Sequence, residues 1–221
     1  MILAEQLLLL FLDDEKGRER ASWGGDPGLA GALLLDLTRL EAIADQDGKL
    51  VAADARVDHP VLAAAHAAIA ADDKRRDAKG WVDRLPSELK PLKERIAAGL
   101  VERGVLSEER RKVLGLFRTT RFPEADPEPE RELRERLRAI LLSERQPTPE
   151  DAMLIGLLRP YDLPEQLVPK DRRKDAKRRA EEVAEGGTAA KAVAGALQEI
   201  QGAILASVAI SAATVAITSG N

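Results

Sequence analysis

The sequence predicts a mainly α fold: a single compact helical domain with a buried C-terminal helix and two small β-hairpins. Three observations predict it. Apolar residues recur at helical spacing through most of the chain. Two places break that spacing with short extended pieces around polar turns. The 221 residues are 44% hydrophobic and 33% charged, which suits a folded chain with a substantial core and excludes a disordered one. Neither a repeat nor a domain boundary is legible, so residues 1–221 are read as one domain.

The first helix runs from Leu3 to Leu12. Leu3, Leu7 and Leu10 share a face that Leu8 and Phe11 widen, and Asp13, Asp14 and Gly17 end it. Trp23, Gly24, Gly25 and Asp26-Pro27-Gly28 mark a loop or turn. A second helix follows from about Leu29 to Ala42, striped by Leu33, Leu37, Leu40 and Ile43. Ile43 to Ala53 reads as a hairpin around Asp47-Gly48, a two-residue turn whose residues tolerate positive φ. Asp58-His59-Pro60 stops it. Helical pattern returns over Val61–Ala71 and around Lys79–Leu85, with Trp81 read as core. Pro91 to Arg103 is the clearest central helix, with proline at its start and Gly104 where a terminating glycine belongs. VLSEERRKVLGLF then reads as strand, polar turn, strand. After a proline-rich acidic loop, helices are predicted at Arg131–Ser143, Pro149–Leu158, Lys170–Glu185 and Thr188 to about Thr218.

The chain excludes several function classes. It has no cysteine, so disulfides, thiolate metal sites and a cysteine nucleophile are out. His59 and His66 have no third ligand at a convincing spacing. Phosphate-loop, dinucleotide and nucleophile-elbow patterns do not occur. The reading is a non-enzyme with no catalytic residue, no metal and no cofactor. A net charge of -4 argues against nucleic acid as a partner. The N-terminus carries no basic region before its apolar run, as a secretory signal would. The expected location is cytoplasmic, with reversible membrane association.

Four features invite a binding reading. Ile200 to Ile217 carries no charge over 18 residues. Ser207, Ser211, Thr214 and Thr218 stripe it, and it is rich in alanine rather than leucine, so a buried helix is preferred to a membrane anchor. Lys170 to Arg179 holds seven cations and two aspartates and could rest on anionic lipid or phosphate. Its plain alternative is a solvated face. Lys90 and Lys93 flank Pro91 at a helix start, where free N–H groups already favour an anion. Neutralisation by Glu88 and Glu94 is the alternative. Trp23, set among glycines, could stack on a ligand or cap the core.

Several segments together resemble the Golgi phosphoprotein 3 family, in order and over nearly the whole chain. AEQLLLLFLDDEKG is similar to its opening helix, and GLAGALLLDLTRLEAI to its second helix and the preceding glycine turn. LKERIAAGLVERGVL followed by LGLFRTTRFP resembles its helix-to-hairpin stretch. The charged helix, glycine spacer and apolar terminal helix keep the family's order. Abundant Ala, Asp, Glu and Arg suggest a bacterial, actinobacterial-type member.

The resemblance implies a helical domain with a buried C-terminal helix. It also implies a peripheral membrane adaptor that binds phosphatidylinositol 4-phosphate. The family's headgroup pocket uses a tryptophan, an arginine of the glycine turn and two arginines at the later helix start. These map onto Trp23, Ala30, Lys90 and Lys93. Ala30 has no donor, and lysine lacks arginine's bidentate fork, so the pocket is weakened. A bacterium has no Golgi, so glycosyltransferase sorting does not carry over. In the family the hairpin also serves self-association. Here the 105–118 hairpin offers Arg110-Arg111-Lys112 as a basic turn and Leu114, Leu116 and Phe117 as an apolar strand for membrane or partner contact. An unidentified protein partner is part of the same expectation. The alternatives are a winged-helix-like nucleic-acid binder, built on the helix, hairpin and basic turn, and a ligand-free interaction scaffold.

Overall fold

The computed structural model describes residues 1–12, 25–113, 117–185, 195 and 198–206, with backbone alone at 111–113 and 117–119. Helix α1, Leu3–Phe11, is the centre. All nine of its residues are buried, against α2, α5, α6 and α7. This departs from the one-sided stripe that the sequence suggests. The helix is wrapped on every side, so Glu5 and Gln6 are buried as well. Each fully buried leucine contributes about 1.5–3 kcal/mol, which is why the leucine run belongs in the middle.

A helix buried this deeply needs partners for its first N–H groups. Two carboxylates supply them. The Ile2 amide donates to Glu5 Oε2 at 3.1 Å, and the Ala4 amide donates to Asp36 Oδ2 at 3.4 Å. Glu5 is also held by Arg103 at 2.8 Å and His59 Nε2 at 3.1 Å. Gly99 leaves room for it, since a Cβ there would stand 2.6 Å from Glu5 Oε1.

Helix α2 spans Gly25–Arg39. It begins four residues before the predicted Leu29. Pro27 sits in its first turn, where a missing N–H costs nothing. Gly28 is therefore a packing glycine and not a turn glycine: a Cβ there would meet the Tyr161 hydroxyl at 2.6 Å. Strands β1 (Ile43–Gln46) and β2 (Lys49–Ala52) pair antiparallel around Asp47 and Gly48, both at positive φ, as predicted. The Leu50 amide donates to the Arg76 carbonyl at 2.8 Å, which ties this hairpin to the start of α4.

Helices α3 (Pro60–Ala70), α4 (Ala78–Glu88) and α5 (Leu92–Glu102) follow. Asp77 caps α4, accepting from the Gly80 amide at 2.8 Å. That bond, together with Lys49, holds the Asp77 carboxyl below its ordinary range. Trp81 is buried, as expected. Pro91 sits just before α5, and Gly104 ends it at φ +73°.

The second hairpin pairs β3 (Glu109–Val113) with β4 (Phe117–Arg121). This corrects the predicted turn: Arg110, Arg111 and Lys112 lie within β3. Leu114 and Leu116 fall outside the described residues. Helix α6 (Glu128–Leu141) buries Leu133, Leu137, Ile140 and Leu141. Thr148 and Asp151 form a reciprocal cap on α7, Pro149–Leu158. The predicted Lys170–Glu185 helix is a 3-10 turn at Lys170–Arg172 followed by α8, Arg173–Glu185. Residues 198–206 are helical, and Ile200, Ala203 and Ile204 are buried. Gly31 receives this helix, since a Cβ there would stand 2.7 Å from Ile200 and 2.8 Å from Ile204. The Ser207–Thr218 stripe lies outside the described residues. Among the described residues no helix is long and apolar enough to cross a membrane.

Candidate anion-binding site

The first turns of α2 and α5 are brought together. Asp26, on α2, feels both Glu94 and Lys93, on α5. Burial raises the Asp26 carboxyl above its ordinary value, Glu94 adds to that, and Lys93 opposes it. The first turns of the two helices thus lie close enough for their charged side chains to interact. The sequence shows each end separately and gives no sign that they meet.

Lys90 is exposed, Lys93 is half-buried, and neither makes an ion pair among the described residues. Glu88, expected to neutralise them, pairs instead with Arg84 one turn back on α4. Glu94 stands beside Lys93 without closing an ion pair on it. Two cations at a helix start oppose the local dipole, and Lys93 is partly balanced by Asp26.

Trp23 falls outside the described residues. In the sequence it stands two residues before Gly25, the first residue of α2. Ala30 is fully buried within α2, so this position supplies neither donor nor charge. Arg110 is exposed and pairs with Glu108 at 2.6 Å. Arg111, Lys112 and Phe117 are placed by backbone alone, in the two strands of the second hairpin.

With that geometry in view, the match to known proteins decides the family. A model of the Golgi phosphoprotein 3 family matches residues 3–200. The chain belongs to that family. No curated protein matches it. The match takes in α1 through α8 and so covers both helix starts at the candidate site.

Sequence reasoning missed Asp26 as a member of the site and Tyr161 as its support. Tyr161 packs on Gly28 of α2 and edge-on against Phe11 of α1, with ring centroids 4.8 Å apart. It braces the N-terminal half of α2 from below. The signal for it was the glycine itself, read as a turn.

Proposed function

We propose that this member of the family is a peripheral membrane adaptor that takes a phosphate-bearing anionic headgroup at the start of α2 and α5. The observation that carries the reading is the pair Lys90 and Lys93. Neither makes an ion pair among the described residues, and Lys93 stands at the helix start that faces Asp26 and the first turn of α2. Free N–H groups, the positive helix ends and two ammonium groups all favour a phosphate there. Trp23, two residues before Gly25 in the sequence, is the residue to stack on the headgroup or enter the lipid interface. Lysine in place of arginine and alanine at position 30 make the pocket tolerant of the headgroup's shape. The site has no role for catalysis. Hairpin β3–β4 supports a second contact in the same reading. Its strands pair with each other alone among the described residues, which leaves outer edges open to a second copy or a partner.

The test is co-sedimentation with phosphatidylcholine vesicles, with and without phosphatidylinositol 4-phosphate. Wild type is compared with a Trp23→Ala, Lys90→Ala, Lys93→Ala variant. Phosphoinositide-dependent binding that falls roughly 30-fold or more in the variant is expected, at the usual contribution per cation near a membrane. Wild-type binding that ignores the phosphoinositide, or a variant that binds as well as wild type, refutes the reading.

A further inference from the structure

Helix α8 carries its charge the wrong way round for a helix. Residues 170–179 hold Lys170, Arg172, Arg173, Lys174, Lys177, Arg178 and Arg179 against two aspartates, a local sum of +5. The far end holds Glu181, Glu182 and Glu185. Cations belong at a helix C-terminus and anions at its N-terminus. The observed order therefore opposes the helix dipole and works against the helix's own stability.

The fold compensates this only in part. Ala176, Ala180 and Val183 form the buried side of α8, packed on α6 and α7. Lys170, Arg173 and Lys174 are exposed and make no ion pair among the described residues. Arg172 and Arg178 share Asp175 at 3.5 and 3.4 Å, Lys177 reaches Glu165 at 3.9 Å, and Arg179 reaches Glu182 at 3.3 Å. Lys170, Arg173 and Lys174 remain, three exposed cations at the disfavoured end of a helix without an ion pair among the described residues, and they indicate an external partner.

One neighbour indicates which kind. Lys177 lines a groove of 410 Å³ together with Leu205 of the 198–206 helix. Leu205 is 53% exposed, among the few large apolar side chains at the surface. The groove also holds Asp162, Glu165 and Glu181, so the cations offered to a bilayer are Lys170, Arg173 and Lys174, and the exposed leucine is the aliphatic group that fits the headgroup–acyl boundary. A phosphate backbone in water gives that leucine nothing.

We propose that the α8 face around Lys170, Arg173 and Lys174 is a second membrane contact, for a bilayer surface carrying anionic lipid of any headgroup. It rests on the Lys170–Lys174 cations and Leu205 and does not depend on the headgroup site at Lys90 and Lys93.

The experiment uses the full chain and vesicles of phosphatidylcholine with and without phosphatidylserine, free of phosphoinositide, at low and physiological ionic strength. Wild type should bind the phosphatidylserine vesicles at low salt and weaken as salt rises. A Lys170→Gln, Arg173→Gln, Lys174→Gln variant should lose about a hundredfold in partitioning. On vesicles that also carry phosphatidylinositol 4-phosphate, the glutamine variant should keep the increment that the phosphoinositide adds, which separates this face from the headgroup site. Thermal unfolding provides the control. The glutamine variant should melt no lower than wild type, because it relieves cations at a helix N-terminus. The proposal is overturned if wild type ignores phosphatidylserine vesicles at low salt, or if the glutamine variant binds them as wild type does. It is equally overturned if the face retains a nucleic-acid homopolymer while vesicles are ignored.

Discussion

Asp36→Asn isolates the cost of ionising a buried carboxyl. Asp36 is fully buried in α2, where it accepts from the Ala4 amide and from Arg39 at 3.4 Å. Burial raises its pKa from 3.8 to about 6, even though Arg39 and the α1 amides pull the other way. The raised value means that the folded state holds the Asp36 proton more tightly than the unfolded state. Below the unfolded value both states are protonated and there is no penalty. As pH rises through about 6, the folded state must ionise a buried acid and stability is lost. A shift of roughly two units corresponds to about 3 kcal/mol. Asparagine keeps an acceptor for the Ala4 amide and carries no charge. The assay is urea unfolding of wild type and variant between pH 4 and 7.5, with the difference in free energy read at each pH. The variant should gain on wild type by about 3 kcal/mol as pH rises from 4 to above 6, and stay level beyond. Other carboxylates titrate in both proteins and cancel in the difference. Parallel curves across that window would refute the argument that Asp36 ionises against its surroundings.

Two further predictions test the fold and the site. Gly31→Ala should cost about 1–3 kcal/mol in urea unfolding, because its methyl group enters the space of Ile200 and Ile204; an unchanged midpoint would mean that the 198–206 helix does not pack there. Asp26→Asn should tighten binding to phosphoinositide vesicles about twofold to fivefold at pH 7, by removing a negative charge beside Lys93. The gain should shrink as pH falls and wild-type Asp26, whose pKa is raised, takes up its proton; a gain equal at every pH points to a different cause.

The helices were legible in the sequence because their signals are local. Proline and glycine punctuate α5, and Asp47-Gly48 specifies the first hairpin by demanding positive φ. The second hairpin was found but misplaced by a few residues. Its basic triplet looks like a polar turn, yet it forms strand β3 because its backbone pairs with β4. The start of α2 was missed for a similar reason. Gly25, Asp26, Pro27 and Gly28 have turn chemistry, and the packing of Tyr161 on Gly28 accompanies a helix there.

The candidate site divides along the same line. Lys90 and Lys93 at a helix start are visible in the chain, as are the family order of segments and the basic run before Arg179. These depend on neighbours within a turn or two. That Lys93 meets Asp26, that Glu88 turns away to Arg84, and that Leu205 lies beside Lys177 depend on residues tens of positions apart. The burial of Glu5 and Asp36 is of the same kind. Both read as surface acids in a sequence, and both become caps for the central helix because α2, α5 and α7 close around it. Local spacing determined the elements and their family. The enclosure of α1 decided which charges are buried and paired, and packing of α2, α5 and α8 on the core decided which are left free for a partner.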